Sequence, residues 1–242
     1  MGDEPAIAAR STSSRSPVQT SLTRVFVFAA VISVIVVVTH LTLDVPVARI
    51  AWAYNPAQFM ILRLITETGE GQWWLGSAAI VFVIAALMRR HNLARWAALM
   101  LIAVGTSGVL ANVIKVLVGK TRPALFFETE RFGFEPWSFT HHYNSFPSGH
   151  ATTFGAGAMV LALAFPRARL LFFAVGLVGA LTRCALLAHY LSDVFAGLAL
   201  GGSFGCASIH VWRRYFAASA PIAFARVARI ETASRDHTVT TQ

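Results

Sequence analysis

Six apolar runs dominate this chain of 242 residues, at about 24–43, 72–88, 94–118, 149–165, 168–187 and 191–212. A bilayer-spanning helix needs roughly 20 mostly apolar residues. Within hydrocarbon the backbone must satisfy its own hydrogen bonds, so runs of this length read as helices. The expectation is an all-α polytopic membrane protein with six transmembrane helices over residues 24–212. Only 13% of residues are charged, about half the usual share for a soluble domain. Residues 1–23, rich in Ser, Thr and Arg, read as a disordered cytoplasmic tail, and 213–242 as a second cytoplasmic tail. No small-x-small cleavage site follows the first run, which is therefore expected to stay as an uncleaved span.

Six spans put both termini on one side, and the charges choose it. The amino-terminal segment through Arg24, the turns with Arg89, Arg90, Arg95, Arg167 and Arg169, and the carboxyl tail hold 13 of the 20 Lys and Arg residues. The opposite side holds seven of the eleven acidic residues, counting Asp193 at the start of the last run, with Arg49, Arg63, Lys120 and Arg131. The positive-inside rule places both termini in the cytoplasm. It also accounts for the net charge of +9 without nucleic acid. Residues 45–71 carry Arg49, Pro46, Pro56 and Arg63 and suit an interfacial helix between the first and second spans. Trp73, Trp74, Trp96 and Trp212 fall at span ends, where indole favours the interface.

Three cations remain, all near the outer ends of spans. Lys115 lies seven residues before Arg122, so a continuous helix would put both on one face, two turns apart. Snorkelling to the headgroups is the plainer reading of either residue alone. Arg183 precedes His189 by six residues, and Asp193 follows by four. That spacing lets one imidazole nitrogen meet the carboxylate, leaving the other unprotonated; a satisfied polar pair at a helix start would serve equally well. Ser148, after Pro147, is placed to cap the fourth span, with Gly149 and His150 in its first turn. The free N–H groups of such a turn attract anions, and glycine permits close approach. All three clusters fall on the outer face. Together they describe a pocket for a highly charged oxyanion, which phosphate fits best.

Lys-x6-Arg-Pro (Lys115 to Pro123), Pro-Ser-Gly-His (Pro147 to His150) and Arg-x5-His-x3-Asp (Arg183 to Asp193) resemble the motifs of the type 2 phosphatidic acid phosphatase superfamily. The likeness covers roughly residues 70–212 and departs at Thr182, where the family usually has serine. It implies a bacterial inner-membrane enzyme with its site facing outward. In that mechanism His189 attacks phosphorus, Asp193 holds its ring, and His150 protonates the leaving oxygen. Lys115, Arg122, Arg183, the Ser148 hydroxyl and the Gly149 N–H hold the phosphate oxygens. No metal or other cofactor is implied. The substrates implied are lipid phosphates: undecaprenyl diphosphate, phosphatidylglycerol phosphate, phosphatidic acid or a lipid A 1-phosphate.

Three rivals stand beside hydrolysis. The same phosphohistidine could pass its phosphate to a lipid acceptor. A haloperoxidase would bind vanadate in such a pocket, although membrane embedding has no evident use there. A transporter would need polar residues near mid-bilayer, where these runs are plain. Cys184 and Cys206, both in apolar runs, read as buried core thiols. His141 and His142 read as loop surface, and Gly197, Gly201 and Gly205 as a close-packing stripe on the last span.

Overall fold

A computed structural model describes residues 17–55 and 60–215. Nine α-helices occur among them: α1 Pro17–Thr42, α2 Asp44–Tyr54, α3 Met60–Glu67, α4 Gly71–Leu87, α5 His91–Val118, α6 Pro123–Thr129, α7 Gly149–Ala164, α8 Arg169–Ala185 and α9 Leu191–Tyr215. Helix α1 begins at Pro17 rather than at residue 24; residues 1–16 and 216–242 of the expected tails lie outside the described residues. Four helices, α1, α5, α8 (entered through a short turn from Pro166) and α9, are long and apolar enough to cross a membrane. Helices α3 and α4 form a pair bent by 50° that would count as a fifth. Helix α7 is apolar but has only 16 residues, about 24 Å at 1.5 Å per residue.

That short helix is the centre of the bundle. Residues 151–158 are all buried, and α7 packs against α4, α5, α8 and α9. Lipid tails are as apolar as leucine, so membrane helices associate through close packing of small residues more than through hydrophobicity. A methyl group at Gly201 would collide with the Thr152 carbonyl oxygen, and one at Gly197 would come within 2.5 Å of the Ser148 carbonyl oxygen. The stripe expected on the last span therefore seats α9 against α7. Helix α5 turns Ala97, Met100, Ala103, Val104, Ser107 and Ala111 inward at helical spacing. Helix α1, by contrast, packs mainly on α9 and over residues 23–42 leaves most of its apolar side chains uncovered.

Some sequence expectations shift. Residues 45–71 hold two helices, α2 and α3, where one interfacial helix was expected; residues 56–59 lie outside the described set. Cys184 is buried, but Cys206 is exposed. An apolar run does not reveal which of its faces meets lipid. Trp73 is 63% exposed, whereas Trp74, Trp96 and Trp212 pack against the core around Leu99 and Val160.

Candidate active site

The site begins where α5 stops. Gly119 adopts φ +62, and its N–H caps the Lys115 carbonyl. The chain then reverses, so Arg122 lies outside α5 as the residue preceding α6. The expectation that one helical face carries both Lys115 and Arg122 is thereby corrected. Arg122 is positioned instead by the loop. Its Nε donates to the His141 carbonyl at 2.9 Å, and its two Nη groups donate to the carbonyls of Ala188 and Asn144 at 3.3 and 3.2 Å. A guanidinium has five N–H donors, so two remain for a ligand. His141 and His142 lie in the exposed loop held this way, as expected. The guanidinium of Arg122, with a smaller contribution from partial burial, lowers the pKa of His141.

Lys115 reaches the start of α7: a Cβ built on Gly149 would lie 3.3 Å from its Nζ. Ser148 caps that helix, its Oγ accepting from the Ala151 N–H at 3.4 Å. The Ser148 N–H donates to the Asp193 carbonyl at 3.0 Å, tying the start of α7 to the start of α9. Above them sits the turn between α3 and α4, where a Cβ on Gly69 would meet the His150 ring at 3.1 Å. Arg183, near the end of α8, donates to Thr66 Oγ1 at 3.0 Å, while its buried Nε has no protein partner. A cavity of about 600 Å³ opens beside this turn, lined by Leu64, Thr68 and Trp74. Through Trp74 and Ser77 it adjoins a second, apolar one of about 370 Å³ that continues past Trp96 and Val160.

His189 occupies the corner between α8 and α9 and is 3% exposed. Its Nδ1 lies 2.8 Å from the Ser145 carbonyl oxygen. A carbonyl only accepts, so Nδ1 carries the proton and the Nε2 lone pair is free. This differs from the expected pairing with Asp193, whose Oδ2 lies 3.9 Å from Nδ1. Asp193 acts one step removed: Oδ2 accepts from Ser145 Oγ at 2.5 Å and from the Tyr190 N–H at 2.9 Å, while Oδ1 accepts from Lys120 at 2.8 Å. Burial, then the charges of Arg122, Arg183 and Lys115, hold the His189 pKa well below its ordinary value, against the pull of the Ser145 bond. The imidazole is therefore neutral near pH 7. The same three cations lie within electrostatic reach of His150.

Hydrogen bonds thus tie Ser148 to Asp193 and Arg122 to the residue before His189, Lys115 lies against Gly149, and Arg183 and His150 both border the turn between α3 and α4. The sequence reading missed Thr66, Gly69, Ser145, Ser192, Asp44 and Lys120. Only the last two carried a signal, as charges bordering apolar runs.

A model of the PAP2 superfamily matches residues 96–217. A lipid A 1-phosphatase of Rhizobium etli is 36% identical over 191 residues, covering 74% of this chain and 81% of the relative. The chain belongs to the PAP2 superfamily. A second PAP2 relative, the lipid A 1-phosphatase of Rhizobium johnstonii, is 34% identical, covering 74% of this chain and 77% of its own. The crystal structure of a transmembrane PAP2 type phosphatidylglycerolphosphate phosphatase from Bacillus subtilis superposes with a TM-score of 0.58, covering 78% of this chain and 96% of the other. At 18% identity that likeness speaks for the fold. PAP2 membership makes the chain a membrane phosphatase.

Proposed function

We propose that this PAP2 protein removes phosphate from a lipid phosphate on the outward-facing side of its membrane through a phosphohistidine, with a lipid A-type 1-phosphate as its substrate. The observation that carries the reading is the His189 ring. Its Nδ1 is held by a carbonyl, leaving Nε2 as an unprotonated nucleophile beside three cations. Nε2 attacks phosphorus, and the bond from phosphorus to the lipid oxygen breaks as His150 protonates that oxygen. Water then attacks the phosphohistidine, His150 takes its proton, and inorganic phosphate leaves. Lys115, Arg122, Arg183, the Ser148 hydroxyl and the Gly149 N–H stabilise the oxygens where charge builds up. Asp193 supports the cationic ring of the intermediate by its charge and by gripping Ser145.

Lipid substrates are favoured by the largely apolar cavities beside the turn between α3 and α4, whose Gly69 packs against His150. Lipid A is favoured among them by the two rhizobial relatives. In this reading residues 24–212 form a six-span catalytic bundle of the bacterial inner membrane. Helix α7 is its short fourth span, α2 and α3 lie at the outer interface, and both tails are cytoplasmic.

The test is phosphate release by purified protein from undecaprenyl diphosphate, phosphatidylglycerol phosphate, phosphatidic acid and lipid A 1-phosphate, with chelator present and no acceptor lipid. Fastest release from lipid A 1-phosphate is the expected result. Transfer of the phosphate to an added acceptor lipid, with no inorganic phosphate released, would make the protein a phosphotransferase, and failure with all four lipids would overturn the proposal.

A further inference from the structure

Behind His189 lies a group of charges that phosphate chemistry does not by itself require. Lys120 is 1% exposed, and Asp44, Asp193 and Ser192 are fully buried. The three protons of the Lys120 ammonium go to Asp44 Oδ2 at 2.7 Å, Ser192 Oγ at 2.7 Å and Asp193 Oδ1 at 2.8 Å. Asp44 also accepts from the Ser192 N–H at 2.9 Å and the Ser192 hydroxyl at 2.6 Å, and His40 Nδ1 lies 3.1 Å from it. Tyr190 presents its ring 4.8 Å from the ammonium. Every ammonium proton has a partner. Such a cluster is expensive to bury, and well-packed apolar residues often stabilise a fold as well or better. Stability alone therefore explains it poorly.

What the cluster touches is more informative. Lys120 holds one oxygen of Asp193, which turns the other toward Ser145 Oγ and the Tyr190 N–H. The Lys120 carbonyl also accepts the Ser145 N–H at 3.1 Å. Ser145 is thus gripped through its backbone by Lys120 and through its side chain by Asp193, and its carbonyl orients His189. Asp44 anchors the assembly from α2, outside the family match at residues 96–217.

We infer that Lys120 and Asp44 are positioning residues for phosphoryl transfer, holding the Asp193 carboxylate and Ser145 in place so that His189 keeps its ring orientation and tautomer. The inference rests on the proposed transfer through His189. That ring becomes cationic when Nε2 is phosphorylated, and the Asp193 carboxylate 3.9 Å from Nδ1 then favours the intermediate. Without the ammonium that bonds to both, Asp44 and Asp193 are left as like charges, and their repulsion loosens the hold of Asp193 on Ser145. Turnover suffers while the phosphate pocket on the other side of the ring stays intact.

The experiment compares the wild type with Lys120→Met, Asp44→Asn and the double variant. It measures kcat and KM for lipid phosphate, and competitive inhibition by inorganic phosphate. Lys120→Met is expected to lower kcat about 10²-fold, with KM and the phosphate inhibition constant within about threefold of wild type. Asp44→Asn, which keeps Lys120 on Asp193, is expected to lower kcat about tenfold. A Lys120→Met protein with kcat within about threefold of wild type would overturn the inference. If Lys120→Met loses phosphate inhibition or fails to fold, the double variant decides, because it removes the like-charge conflict. Phosphate inhibition restored without turnover supports positioning; both restored, or neither, overturns it. A wild-type protein inactive on all four lipids removes the phosphatase reading itself, a result separate from any difference between variants.

Discussion

Lys115 and Lys120 are five residues apart, and the two regions they anchor work in opposite ways. Around Lys120 every ammonium proton is spent on buried acceptors. Around Lys115, Arg122 and Arg183 donors are left over: two on Arg122 beyond its three carbonyls, and a buried Nε on Arg183. A satisfied cluster holds geometry. Cations with spare donors near a helix start suit the anion binding proposed above. The neutral imidazole of His189 is oriented from the first region, and in the proposed mechanism its phosphate is held by the second.

The contrast can be broken most severely at that ring. His189→Ala is expected to cut phosphate release by about 10⁴-fold or more and to abolish the trapped phosphoenzyme; rapid quenching that still captures phosphate on the variant would reassign the nucleophile. His150→Ala should slow the lipid substrate by about 10³-fold but an activated aryl phosphate far less, because only the poor leaving group needs a proton. Equal losses on the two substrates would remove His150 from the acid role. Lys115→Ala should lower kcat by about 10²-fold, and unchanged turnover would return that lysine to snorkelling.

Smaller effects sharpen the boundary between the regions. Thr66→Val removes the acceptor that steadies Arg183 and should lower kcat/KM about tenfold, with the cluster around Lys120 untouched. The pH profile carries a sign as well. His189 attacks in its neutral form, and its pKa is lowered by burial and by the three cations. The neutral form therefore persists as pH falls through 6.5, the ordinary value, and protonation removes activity only below it. The acid limb of kcat/KM, which reports the free enzyme, should lie below pH 6.5. A limb above it would mean that the Asp193 carboxylate, rather than burial and the three cations, governs the ring.

Much of this was legible in the chain. The helices over 72–88, 94–118, 149–165, 168–187 and 191–212 appear within a few residues of where hydropathy places them. The Ser148 cap follows from Pro-Ser-Gly before an apolar run, since local backbone chemistry decides it. Other features had no local signature. Thr66, Gly69 and Ser145 look like ordinary loop residues. Cys206 was misplaced because hydropathy cannot separate a helix face that meets lipid from one that meets protein.

By itself the sequence determined the elements and the chemistry on offer: long apolar helices, a glycine stripe for close packing, and three cations and two histidines at the helix ends. Those follow from the polarity and shape of residues near one another along the chain. Tertiary structure alone decided the partnerships. Lys120 was one more cation in an outer loop until folding brought it to Asp44, 76 residues away in sequence. The His189–Asp193 spacing was as consistent with direct pairing as with the observed detour through Ser145. A hydrogen bond depends on direction and on distances of tenths of an ångström, and spacing along a chain fixes neither once the helix has ended.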